Sequence, residues 1–166
     1  EIRQYAGYFK KAINADIIDD ELPSVAGIER LNAIVFALDT ATLIPYLLFV
    51  ECNVRDISVR NDLYDYLESY IMRRIVTRAT TKNYNQLFSD RLILNQVLSK
   101  DQFISYLDNQ DDKINRMPTD RDVTTAFNDE LLTNKQATGV LYLIESKIRD
   151  RRRHSTQLLG ISKYSL

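Results

Sequence analysis

Side chains suited to covalent or metal chemistry are scarce in this chain, which has one histidine, His154, and one cysteine, Cys52. A structural zinc site needs four ligands, mostly Cys and His, so we predict neither such a site nor a Cys-His nucleophile. The four glycines occur singly, which excludes a Gly-rich phosphate loop and a Gly-x-Ser-x-Gly elbow. His154 follows a run of arginines at a predicted helix end, where an imidazole can bind terminal carbonyls. We therefore predict no catalytic residue, no cofactor-binding residue and no metal ligand.

One charged side chain, Arg74, is predicted to lie among apolar residues. At 100° per residue, one face of its helix consists of Leu63, Tyr66, Leu67 and Tyr70. Arg74 falls near the middle of that face. An unpaired guanidinium is costly to bury, so either the helix leaves the core near Arg74 or a carboxylate from another helix meets it.

Two interpretations of Arg74 stay open. In the first it is a structural tie between helices, with Glu145 as the preferred ion-pair partner and Asp39 as the second choice, because each borders an apolar helix face. In the second it contacts the DNA backbone, since arginine and lysine bind phosphates. The candidates for that contact form two groups, Arg73, Arg74, Arg78 and Lys82 in the first and Arg151, Arg152 and Arg153 in the second. The second group lies near a helix C-terminus, where cations are favourable without a ligand.

The elements that position these residues are predicted to be helices. Apolar residues recur every three or four positions in almost every part of the chain, and alternation of period two is nearly absent. The sequence therefore predicts an all-α, compact bundle of about seven or eight helices with little or no sheet. The longest apolar run, residues 43–50, is shorter than the roughly 20 residues of a membrane span.

Composition narrows the class of protein further. The chain is 45% hydrophobic and 27% charged, which is typical of a soluble globular domain. A net charge of −1 gives no overall field that would attract nucleic acid or an anionic membrane, so DNA contact would need a local patch. A single cysteine fits the reducing cytoplasm.

Three stretches carry a resemblance to a known family. Residues 64–88 read YDYLESYIMRRIVTRATTKNYNQLF, and the residues that carry the likeness are Glu68, Tyr70, Arg73, Arg74, Lys82 and Asn85. Upstream, residues 31–50 are similar to a helix pair that ends in a proline and an apolar run, and downstream Met117-Pro-Thr-Asp120 is similar to a Phe-Pro-x-Asp segment. Together these stretches resemble the helical region of GmrSD-like restriction endonucleases, which precedes an HNH-type nuclease domain.

The resemblance implies a larger bacterial protein that defends against phage. Its N-terminal domain would be ParB-like, its C-terminal domain an HNH-type nuclease, and it would use a nucleoside triphosphate and a divalent metal to cut DNA. Residues 1–154 would be a single helical domain and residues 155–166 the lead-in to the nuclease domain, whose Glu-His-x-x-Pro element we expect directly after Leu166. This chain would then be a non-catalytic scaffold between the two flanking domains, with DNA as a further partner. The alternative is a helical protein–protein interaction or dimerisation module without nucleic-acid contact.

Overall fold

The fold is that of a computed structural model, which describes residues 2–109, 113–129, 132–152 and 157–164. Its helices are α1 (Ile2–Ala12), α2 (Ile28–Ala37), α3 (Ile44–Asn53), α4 (Ile57–Val76), α5 (84–94), α6 (Lys100–Asp108), α7 (Asp120–Asp129) and α8 (Asn134–Arg152). Helix α5 contains a π-helical turn at Leu87–Arg91. Short 3-10 turns lie at Asp16–Asp19, Ala41–Leu43, Lys113–Asn115 and Ile161–Lys163. No strand occurs in the described residues, so the all-α prediction is confirmed.

Helix α4 is the longest element and has a well-defined cap at each end. At its start the Asp56 carboxylate accepts hydrogen bonds from the backbone N–H groups of Ser58 and Val59. At its end Arg78 adopts a left-handed conformation with φ of 50°, and the Ala79 N–H donates to the Arg74 carbonyl at 2.9 Å. The helix therefore ends at Val76, because the backbone reverses its handedness at Arg78.

Two further helix ends use the same left-handed cap without a glycine. Asp39 follows α2 with a φ of 55°, and Gln96 follows α5 with a φ of 50°. Glycine is the usual residue at this position because it has no Cβ to clash with the backbone. The chain has only four glycines, and none of them has a positive φ.

The main core is built around α3 and α4 and is rich in aromatic rings. Its central ring cluster consists of Tyr46, Tyr70, Tyr84, Phe88 and Phe103, with neighbouring centroids 5.3–6.5 Å apart. The buried hydroxyls have partners, since Tyr46 donates to the Val97 carbonyl at 2.8 Å and Tyr70 to the Asn115 carbonyl at 2.9 Å. Burial raises the pKa of Tyr46 and Tyr70 above its usual range, because an ionised phenol would lose its hydration.

Residues 157–164 pack on the bundle. Leu158 and Ile161 are buried in the main core, and the 3-10 turn Ile161–Lys163 contacts the turn Asp16–Asp19. A Cβ added to Gly160 would lie 2.2 Å from the Asp19 carbonyl carbon, so glycine allows this close approach. The predicted division into residues 1–154 and 155–166 stays a prediction, and the contacts show that residues of the second part share a core with the first.

Candidate functional site

The Arg74 guanidinium is buried, with 2% of the residue exposed, so of the two alternatives α4 stays in the core at this position. Its Nε donates to the Tyr84 hydroxyl at 3.0 Å, and its Nη1 donates to the carbonyls of Ile114 and Arg116 at 2.8 and 3.2 Å. Its Nη2 donates to the Thr80 carbonyl. The Tyr70 and Tyr84 rings also face the guanidinium, with Cζ 5.4 and 5.3 Å from their centroids. Arg74 thereby ties α4 to both the 79–84 loop and the 113–118 segment.

The predicted ion pair between Arg74 and Glu145 is wrong. Oxygen atoms of neutral groups satisfy the guanidinium, and Glu145 lies on α8 with a carboxylate oxygen 3.9 Å from the Arg149 Nε. Asp39, the second-choice partner, forms an ion pair with Lys135. The physical reason is that backbone carbonyls at loop ends carry large dipoles and can surround a buried cation as well as one carboxylate can.

A second buried arginine, Arg30 of α2, holds the largest polar cluster of the core. Arg30 is 0% exposed and meets Glu68 of α4, which is 4% exposed, in a two-pronged pair with both distances 2.8 Å. The remaining N–H groups donate to the Pro23 carbonyl, the Ser146 hydroxyl and the Leu143 carbonyl at 2.7–3.0 Å. All five guanidinium donors are therefore used, which removes the penalty of an unpaired buried charge.

Sequence reasoning missed the pairing of Arg30 with Glu68, although a signal for Arg30 was present. Helix α2 reads IERLNAIVFA, and its apolar residues lie on nearly every side of the helix. A helix that is apolar all round is buried all round, so a charged residue within it must find a partner. Glu68 was singled out only by the resemblance, and its spacing on α4 did not identify Arg30 as its partner.

The first predicted DNA-contact group does not form one surface patch. Arg74 is buried and cannot reach a phosphate, so its assignment to that group is wrong. Arg73 is partly exposed, and its guanidinium donates to Asp120 at 2.6 Å and to the Pro118 carbonyl at 3.1 Å. Arg78 and Lys82 are exposed and stay candidates for phosphate contact. In the second group, Arg151 and Arg152 end helix α8.

In the second group, Arg153 and the side chains of Arg151 and Arg152 lie outside the described residues, as does His154. Their predicted DNA contact stays a prediction.

Beside Arg74 lies an open polar cleft of about 410 Å³. Its lining includes Arg116, Arg121, Asp122 and Asp129, so cations and carboxylates are mixed along it. Arg116 donates to Asp122 at 2.8 Å, and this bond, with those from Thr119, holds the pKa of the Asp122 carboxyl below its usual range. Asp122 also caps α7 together with Thr119, which makes its charge part of the helix start. These contacts assign Arg116 and Asp122 a structural role at the start of α7, which needs no ligand in the cleft.

Among the described residues, no three or more His, Cys, Asp or Glu side chains lie close enough together to hold a metal ion. In the same part of the chain, none of the helices combines the length and apolar character of a membrane span.

Three large apolar side chains of α7 and α8 are exposed, two of them lining one groove and Leu141 lining a second cleft. Phe127, Leu141 and Ile144 are 53%, 61% and 44% exposed, respectively. A groove of about 330 Å³ opens between α4, α7 and α8 and is lined by Met72 and Val123 among others, with Phe127 and Ile144 at its edge. Exposed apolar surface of this kind is a common feature of protein–protein contacts.

Comparisons with known proteins leave the family open. No family model, no curated protein and no solved structure matches the chain.

Proposed function

We propose that this chain is the helical scaffold of a GmrSD-like DNA restriction endonuclease, acting in bacterial phage defence in the cytoplasm. It would hold an N-terminal ParB-like domain and a C-terminal HNH-type nuclease domain at a fixed separation, and would have no catalytic activity of its own. The nucleoside triphosphate and the divalent metal of the whole enzyme would bind in the flanking domains.

One observation supports a scaffold. The residues that carry the resemblance include Glu68, Tyr70, Arg73 and Arg74, and each of them ties α4 to another part of the bundle, with Tyr70 and Arg74 both binding the 113–118 segment. Glu68 binds Arg30 of α2, Tyr70 binds the turn Lys113–Asn115, Arg73 binds the start of α7, and Arg74 binds the loops at both of its sides. Polar residues used in this way stiffen a bundle, and a stiff bundle can fix the distance between two attached domains.

The first experiment compares this chain with the product of the complete gene in a nuclease assay. Plasmid DNA, with and without modified cytosines, is incubated with magnesium and either ATP or GTP. We expect cleavage only by the complete protein, and we expect its sequence to contain a Glu-His-x-x-Pro element directly after Leu166. Robust metal-dependent cleavage by this chain alone would refute the scaffold assignment.

A second experiment tests the DNA-backbone contact of the exposed pair Arg78 and Lys82. The double variant Arg78→Gln/Lys82→Gln should flatten the dependence of log K on log salt for a DNA duplex by about 1.8, because each phosphate contact contributes about 0.9. The matched control is Arg55→Gln/Lys100→Gln, which removes two cations that are also exposed. An equal effect of both variants would show that only overall charge matters.

The apolar surface of α7 and α8 favours a second candidate function, a protein-interaction or dimerisation module. Leu141→Lys should then abolish self-association in sedimentation velocity, whereas Leu94→Lys, at a residue 73% exposed elsewhere, should not. A monomer with a steep salt dependence of DNA binding would favour the scaffold instead.

A further inference from the structure

Helix α8 has a second apolar stripe on the side that faces away from the core. Its core side includes Val140 and Leu143, which are 2% and 1% exposed. At 100° per residue Leu141 lies about 160° from Leu143, and Leu141 is 61% exposed. One apolar face is enough to attach a helix to its core, so a second face on the opposite side indicates a further partner.

Four apolar residues form this outer stripe, and their spacing is that of a coiled-coil seam. They fall within an arc of about 60° and follow one another at intervals of four, three and four: Ala137, Leu141, Ile144 and Ile148. Ile144 is 44% exposed, and Ala137 and Ile148 are partly exposed. Side chains with this alternation of four and three are the knobs that insert between the side chains of a facing helix.

The stripe is complementary to itself when a second copy of α8 runs in the opposite direction. Its spacing is the same from both ends, so a twofold axis midway between Leu141 and Ile144 places Leu141 opposite Ile144 of the second copy. The same axis places the small Ala137 opposite the large Ile148 of the second copy. In a parallel pair each residue would meet its own copy, and the two Ala137 side chains would leave a gap.

The charges of α8 also favour the antiparallel arrangement. Its last two turns contain four cations and one acidic residue: Lys147, Arg149, Arg151, Arg152 and Asp150. In a parallel pair the two cationic ends would lie side by side and repel each other. In an antiparallel pair each cationic end lies beside the first turn of the other α8, where Lys135 is paired with Asp39.

Apolar residues on both sides of α8 enlarge the surface to the size that a dimer needs. A groove on one side is edged by Phe127 of α7, and a cleft on the other side is lined by Tyr164. Phe127 and Tyr164 are 53% and 41% exposed. Three elements side by side, each about 10 Å wide, along a helix of about 28 Å give roughly 800 Å², which is the area that each partner buries in a standard dimer.

We propose that α8 is a dimerisation helix, which pairs antiparallel with α8 of a second copy of this chain through Ala137, Leu141, Ile144 and Ile148. The inference rests on the second candidate function and deepens it, because it names the partner and the contact. It requires neither the DNA contact nor the flanking domains of the first proposal.

Disulfide formation between single-cysteine chains tests the register of the pair. The background variant is Cys52→Ser, because the native Cys52 is partly exposed. A mixture of Leu141→Cys chains and Ile144→Cys chains should oxidise to a linked dimer at least about fivefold faster than either variant alone, since a disulfide needs Cα atoms within about 7 Å. The control is Leu94→Cys, at a residue 73% exposed on α5, which should not form a link when it is mixed with Leu141→Cys.

Sedimentation velocity of the full chain at rising concentration gives the oligomeric state. The unmodified chain should sediment as a dimer and Ile144→Lys as a monomer, because a lysine in the seam would have to be desolvated. Leu94→Lys should stay a dimer. A chain that is monomeric at every concentration, or a dimer that Ile144→Lys leaves intact, overturns the proposal.

The remaining outcomes separate this proposal from the candidate function on which it rests. If Leu141→Cys alone oxidises as fast as the mixture, the antiparallel pairing is overturned, although a dimerisation module stays. If the chain is a monomer and the Leu141→Cys thiol is labelled more slowly in the product of the complete gene, a flanking domain covers the stripe and the second copy is overturned. The nuclease assay decides the scaffold proposal independently of both.

Discussion

Removal of one partner from the Arg30–Glu68 pair should destabilise the protein severely. Glu68 is 4% exposed in the native structure, so in the variant Arg30→Met its carboxylate stays in the core. The remaining cation beside it is the Lys147 Nζ, which lies 3.5 Å away. The Pro23 carbonyl also loses the donor that lies 2.7 Å away. The Lys147 ion pair is longer than the two lost hydrogen bonds and compensates the buried carboxylate only in part. Removal of one partner from a buried pair costs about 3–5 kcal/mol, which for a domain of this size lowers the melting temperature by roughly 6–20 °C.

The double variant Arg30→Met/Glu68→Leu tests the reasoning, because it removes both charges together. The double variant should be more stable than Arg30→Met alone, since no unpaired charge stays in the core. Its remaining loss of stability should come from the Pro23 carbonyl, which no longer has a hydrogen-bond donor. Free energies of unfolding come from urea titrations followed by circular dichroism, with constant m values as the check of comparability. The account would be refuted if the double variant lost as much free energy of unfolding as Arg30→Met and Glu68→Leu lose in sum. Such additivity would mean that the two residues contribute independently.

Three other predictions follow from buried groups and helix ends. Arg74→Ala should lower the free energy of unfolding by about 3 kcal/mol or more. Arg74→Lys should be intermediate, because one ammonium group cannot donate to all four oxygen atoms that the guanidinium binds. An unchanged melting temperature of Arg74→Ala would show that Arg74 is solvated. Gln96→Gly should raise that free energy by about 0.5–1 kcal/mol in thermal melts, since glycine accepts the φ of 50° freely, whereas Gln96→Ala should give no gain. Above pH 10 the protein should lose stability, because burial raises the pKa of several tyrosines in the folded state above the unfolded value of about 10. The tyrosines with raised pKa include Tyr46, Tyr64, Tyr70 and Tyr84. Their contribution is complete below pH 10 and declines as the pH rises, so part of the absorbance change at 295 nm should coincide with the loss of ellipticity. Completion of the absorbance change before the loss of ellipticity would contradict this.

The helices could be predicted from sequence because their signal is local. The spacing of Ile28, Leu31 and Val35 is enough to predict α2, and the Thr119 cap of α7 follows from a hydroxyl placed three residues before Asp122. The position of a cap is less predictable: Asp101 is also a residue type that caps helices, but Ser99 starts α6. The difference arises because neighbouring polar residues have similar capping energies and the packing of the helix selects among them.

The position of Arg74 on the apolar face of α4 could also be predicted, but the choice between a buried and a solvated guanidinium stayed open until the structure showed it buried. The partners of Arg74 could not be predicted, because they are the backbone carbonyls of Thr80, Ile114 and Arg116. A backbone carbonyl does not depend on residue type, so the sequence does not distinguish these three from others. Any residue has a carbonyl, and only the path of the chain decides which of them points at a guanidinium.

The spacing of apolar residues was enough to predict that this protein is a helical bundle and that Arg74 lies on an apolar helix face. The folded structure was needed to show which groups meet, as Arg30 and Glu68 do although 38 residues separate them. Periodicity describes one helix at a time, whereas an ion pair between helices depends on their crossing, which the packing of the whole core fixes.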